Sequence, residues 1–154
     1  MLPALIFSQD YNRSIGIRGG INSGLTYRQF YNTSVALEAI ASFEHEGFRV
    51  TALRENHKFT NFGHCDKLFH YYGYGAHAGF IGNEPGEMFP VDHAVRYSPA
   101  YPVIGLDAIF GLEYRVIKWP VVIGIDYMPY FDLFGPNYFN LNMGDVAFSI
   151  RYTF

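Results

Sequence analysis

Three groups of side chains in this chain could do chemistry. The first is an acid–imidazole–hydroxyl set, Glu87, Asp92, His93 and Ser98, in a proline-rich stretch. Such a set activates a serine only if folding brings the base within hydrogen-bond reach. No G-x-S-x-G elbow accompanies it. The second group is metal-like. Glu84, Glu87 and Asp92 could face calcium, but their spacing matches no calcium-loop pattern. Cys65, between His64 and Asp66, could be a weak metal or redox ligand; as the one cysteine it excludes an intrachain disulfide. Loop residues in solvent account for both groups, so we expect no catalytic residue, no metal and no cofactor. The third group is more regular. Arg18, Arg28, Glu38, Glu55, His77, Asp107, Glu113, Arg115, Asp126 and Arg151 all sit inside segments that alternate apolar and polar residues. Charges of both signs on one confined face imply a paired network, because an unpaired charge away from water is costly.

Those residues must be carried by strands, since the period is two. Segment one is Ser14–Gly20, with Ile15 and Ile17 opposite Gly16, Arg18 and Gly20. Segment two is Gly24–Tyr31, and segment three, Val35–Phe43, sets Val35, Leu37, Ala39, Ala41 and Phe43 against Glu38, Ile40 and Ser42. Segment four, Phe48–Lys58, puts Arg49, Thr51, Leu53, Glu55 and His57 on one face. Segment five is Leu68–Ile81, with His77 among glycines. Segment six, Val103–Ile117, and segment seven, Val121–Leu133, carry Asp107, Glu113, Arg115, Asp126 and Asp132 opposite continuous Ile, Leu, Phe, Tyr and Val. The last segment ends Phe148-Ser149-Ile150-Arg151-Tyr152-Thr153-Phe154. The longest connections are Gly82–Pro102 and Phe134–Gly144. Segments one and two could also form one long strand bent at Gly19-Gly20, which would spoil the even count.

The expected fold is therefore all-β: an eight-stranded antiparallel up-and-down transmembrane β-barrel. Aromatic residues make up 19% of the chain and there are 16 glycines, a mixture suited to strands and bends rather than helices. In a barrel of this size the interior is just filled by side chains, so we expect a plugged lumen and no open channel. Apolar residues outward and charged residues inward is the order required by lipid outside and a polar lumen inside. Short turns alternate with longer loops, as in outer-membrane barrels, and Trp119 would lie at the periplasmic interface. A net charge of −3 gives no reason to expect nucleic acid as a partner. Residues 1–8 have the look of the tail of a secretory signal peptide, leaving residues 9–154 as a single domain.

Several of these stretches, Ser14-Ile15-Gly16-Ile17-Arg18-Gly19-Gly20, Gly24-Leu25-Thr26-Tyr27, Tyr71-Tyr72-Gly73-Tyr74-Gly75-Ala76-His77, Gly105-Leu106-Asp107, Gly111-Leu112-Glu113-Tyr114 and Arg151-Tyr152-Thr153-Phe154, together resemble small outer-membrane β-barrel proteins of Bacteroidetes-type bacteria. The resemblance runs from about Asn12 onward. It implies an outer-membrane location, contact with outer-membrane lipid, and recognition by the barrel-assembly machinery through Phe148, Ile150, Tyr152 and Phe154. It implies no activity. The expected role is structural or surface-interaction, with a surface ligand meeting the two long loops. Two alternatives stay open: an outer-leaflet lipid A acyl hydrolase or transferase, and a soluble barrel binding small ligands.

Overall fold

The computed structural model describes residues 12–44, 47–60, 67–82, 100–116, 118–134 and 139–154. The suspected signal remnant, the His64–Asp66 group and the Glu84, Glu87, Asp92, His93 and Ser98 set lie outside them. Among the described residues there is no helix.

Alternating sequence makes alternating strands: β1 (Arg13–Gly20), β2 (Ser23–Phe30), β3 (Val35–Glu44), β4 (Gly47–Phe59), β5 (Leu68–Gly82), β6 (Ala100–Val116), β7 (Val121–Tyr127), β8 (Tyr130–Phe134), β9 (Asn140–Asn142) and β10 (Val146–Thr153). Each pairs antiparallel with its neighbours, and β1 pairs with β10. The sheet therefore closes on itself through the β1–β10 ladder. β7 and β8 together form the seventh stave, and β9 and β10 the eighth, so the wall is an eight-stranded antiparallel barrel. The seam between first and last staves continues past their ends: Arg13 N donates to the Phe154 carbonyl (3.2 Å) and Phe154 N to that of Arg13 (3.0 Å).

The register fixes the barrel's shape. A walk along paired residues from Arg115 passes Val122, Arg151, Gly16, Thr26, Ile40, Thr51 and His77 and returns to β6 at Gly105. The return point is offset from the start by ten residues. With eight staves at ordinary spacing, that shear tilts the strands by about 40° from the axis. Residues paired across the sheet therefore lie at different heights.

Segments one and two are separate strands, as expected, joined at Ile21-Asn22, so the even count stands. The structure departs from the expected segments in three places. The seventh segment is interrupted at Met128-Pro129, where proline offers no N–H to the ladder. The register survives, with Phe110 facing Tyr127 and Asp107 facing Tyr130. Ala100–Pro102 is strand rather than loop and pairs with Phe80–Gly82. Pro102 is tolerated because β6 has a strand on one side only at that level, its pairing with β8 starting at Ile104. Asn140–Asn142, also expected in a loop, pairs with β8 as a short hairpin.

Inside and outside match the alternation. Arg18, Arg28, Glu38, Glu55, Arg151 and Ile40 are almost wholly buried, whereas Ile15, Ile17, Leu106, Phe110, Phe148 and Tyr152 are each more than half exposed.

Candidate functional site

The lumen is the candidate site, and it is built from three clusters. At its waist the Arg28 guanidinium serves three carboxylates. Nη1 donates to Glu113 Oε2 (2.6 Å), Nη2 to Glu38 Oε2 (2.8 Å), and Nε lies 2.8 Å from Glu55 Oε2. β2 and β6 are four staves apart, so the Arg28–Glu113 pair ties opposite walls together. Arg151 supplies a second cation: Nη2 donates to Glu38 Oε1 (2.7 Å) and Nη1 to Ser149 Oγ (2.6 Å). Thr26 Oγ1 donates to the same Glu38 oxygen. His57 completes the group, with Nε2 3.0 Å from Glu55 Oε2 and Nδ1 3.4 Å from Glu113 Oε1.

Aromatic rings seal this layer. Tyr71 stacks on His57 (centroids 5.0 Å apart, planes 16°) and lies beneath the Arg28 guanidinium (4.7 Å). Its hydroxyl donates to Asp126 (3.3 Å). The ring fits because its cross-strand partner is Gly111; a Cβ there would strike it. Gly105 makes the same room for the His77 ring.

Asp126 leads to the second cluster. Arg18 donates to it from Nη2 (2.7 Å) and Nε (3.1 Å), and from Nη1 to Asp145 Oδ2 and the Asn22 carbonyl (both 3.0 Å). The third cluster is His77, with Nδ1 2.9 Å from Asp107 and Nε2 2.8 Å from Asp132. Arg49 lies over the Tyr130 ring at 4.2 Å, and Tyr130 meets His77 edge-on.

Of the charged residues singled out in the sequence, Arg28, Glu38, Glu55, Glu113 and Arg151 meet in one group. Arg18 with Asp126, and His77 with Asp107, form the other two. Arg115 lies half-buried at the end of β6, lining a recess with Trp119, Pro120 and Thr153. Phe148, Ile150, Tyr152 and Phe154 face outward. Sequence reasoning overlooked Tyr71 and Asp145. Both carry the inward parity of their neighbours, Gly73 and Gly75 for Tyr71 and Ala147 and Ser149 for Asp145. Extending the alternation one step would have found them.

Buried ion pairs of this kind hold structure; among the described residues no group of three or more His, Cys, Asp or Glu side chains is arranged to hold a metal ion. The charges of the lumen neutralise one another in pairs.

No family model and no curated protein matches this chain. A solved structure does: the N-terminal β-barrel domain of Pseudomonas aeruginosa OprF. It superposes with a TM-score of 0.65 at 12% identity, covering 92% of this chain and 95% of that one. At that identity the likeness concerns the fold: this chain and that domain share one barrel architecture.

Proposed function

We propose that this chain is an integral outer-membrane barrel with a structural or surface-interaction role. One observation carries the reading: the barrel is apolar outside and ion-paired inside. Ile, Leu, Phe, Tyr and Val side chains stand exposed around the whole wall, from Ile15 and Ile17 on β1 to Phe148 and Ile150 on β10. A water-soluble protein rarely exposes a continuous apolar patch beyond a few hundred Å². Lipid is the solvent such a wall requires, and a closed barrel is one of the two backbone arrangements that lipid permits. A soluble ligand-binding barrel would reverse the two faces. The shared architecture with the OprF domain supports the same reading.

In this reading the staves' short connections, at residues 31–34, 60–67 and 117–120, face the periplasm together with Trp119. The opposite end carries the connections at residues 83–99 and 135–139, and any surface ligand would meet them there. Phe148, Ile150, Tyr152 and Phe154 form the outward stripe offered to the assembly machinery.

The test is gel mobility after refolding from urea into detergent micelles. The unboiled sample should migrate differently from the boiled one, as a closed barrel resists the denaturing detergent. A single unshifted band, with the protein monodisperse in plain buffer, would overturn the membrane reading. Altered lipid A on expression would instead favour an outer-leaflet lipid-modifying enzyme.

A further inference from the structure

The wall is not uniformly apolar. Among the described outward-facing positions, β6 to β10 carry no charged side chain, and neither does β3. The charges are Arg13 at the start of β1 and Arg54 and Lys58 on β4, all cationic. Among the described residues no carboxylate side chain faces outward beside them. Arg54, Asn56 and Lys58 occupy alternate positions of one strand, so they project from the same face. Each cation leans on a tyrosine of β5: Arg54 Nη1 donates to Tyr74 Oη (3.2 Å), and Lys58 Nζ lies 5.5 Å from the Tyr72 ring centroid. Gln29 of β2, accepting from Tyr27 Oη (3.4 Å), and His70, against Thr60 Oγ1 (2.5 Å), extend the polar surface around the same end.

This sector lies at the end of the barrel that carries residues 60–67. Lys58 is one residue from the end of β4, and Arg54 sits about 10 Å further along the axis, four residues up a strand tilted by about 40°. That span is the depth from a headgroup layer to the glycerol region and just below it. Flexible Lys and Arg stems let both charged ends reach back toward the headgroups. Two cations, a side-chain amide and two phenol rings, with no carboxylate among the described outward-facing residues, make a complement for a phosphate diester with apolar tails.

We propose that the outward face of β4 and β5 is a binding site for an anionic phospholipid of the leaflet at that end, with Arg54 and Lys58 holding its phosphate and Tyr72 and Tyr74 bracing them. The inference rests on the membrane reading above. Native mass spectrometry of the refolded full chain, released from micelles doped with phosphatidylglycerol or phosphatidylcholine, tests it. The wild-type protein should retain phosphatidylglycerol in preference, and Arg54→Gln/Lys58→Gln should lower that retention about tenfold while keeping the heat-modifiable band. Lys58→Gln alone serves if the double variant does not refold. Equal retention of the two lipids, or equal retention by variant and wild type, overturns the proposal. So does a variant that turns a dimer into a monomer with lipid retention unchanged, since the patch would then be a contact between copies of the chain. Competition by free glycerol phosphate at matched concentration would show a phosphate site indifferent to the membrane, and would overturn it too. Absence of any heat-modifiable band in the wild-type protein is the separate signature of a failed membrane reading, and the lipid site falls with it.

Discussion

Arg28 shows how few atoms hold the lumen together. Its guanidinium is buried and contacts Glu38, Glu55 and Glu113, while Arg151 shares Glu38. Pairs this deep gain little over an apolar core of equal volume, but breaking one leaves a stranded charge. Arg151→Ala should therefore cost about 3–5 kcal/mol, read from urea unfolding in lipid vesicles. Stability unchanged in Arg18→Ala, Glu113→Ala and Arg151→Ala alike would show that the network carries no weight. Steric fit is a second constraint at this scale. A methyl at Gly111 would meet the Tyr71 ring, so Gly111→Ala should cost about 1–3 kcal/mol, the usual penalty for overpacking. In a Tyr71→Ala background the same change should cost much less. A coupling near zero in that double-mutant cycle would mean the ring moves aside at no expense.

At the scale of the strand, the proposed membrane setting gives the two faces different solvents, and depth then decides the cost of a mistake. Ile17 stands outward in mid-β1 and is 60% exposed, whereas Val121 opens β7 next to Trp119 and Pro120. Ile17→Arg should lower folding stability in vesicles by about 2–4 kcal/mol, and Val121→Arg by about 0–1. If the wall faced water, both changes would stay within about 0.5 kcal/mol of wild type. The same pressure explains what could be read in the sequence. An apolar exterior and a charged lumen make opposite demands on alternate residues, so faces and segments were legible from Ser14 onward. Where both sides of a strand are apolar or aromatic the signal fades, and Tyr71 was missed in the run Leu68–Tyr72. Pro102 reads as a breaker, yet β6 carries it where one side of the strand is unpaired. A carboxylate partner could be expected for the histidines, as His57–Glu55 and His77–Asp107 bear out, but the partners of the arginines were not legible. Alternation tells which way Arg28 and Glu113 point, but their meeting depends on a ten-residue shear accumulated over every register in the wall.

Taken as a whole, the barrel is closed twice, by the β1–β10 ladder around its circumference and by the charge network across its interior. The second closure has a consequence for permeation. An eight-stranded wall leaves an interior that side chains just fill. Here the filling at the waist is Arg28, Glu38, Glu55, Glu113, Arg151, His57 and Tyr71, drawn from staves on opposite sides. Arg28→Ala removes one of the two arginines among these and withdraws the cation that three carboxylates share. Those carboxylates cannot remain buried and unpaired, so water and small cations must enter to replace the guanidinium. In planar bilayers the wild-type protein should therefore pass no resolvable current, while Arg28→Ala should give small steps favouring potassium over chloride. The heat-modifiable band must survive in the variant, so that current is not leakage around misfolded protein. Open steps of equal size in wild type and variant would show that the waist is no plug. Silence in both would place the barrier elsewhere along the lumen, with the His77–Asp107–Asp132 cluster as the next constriction to remove.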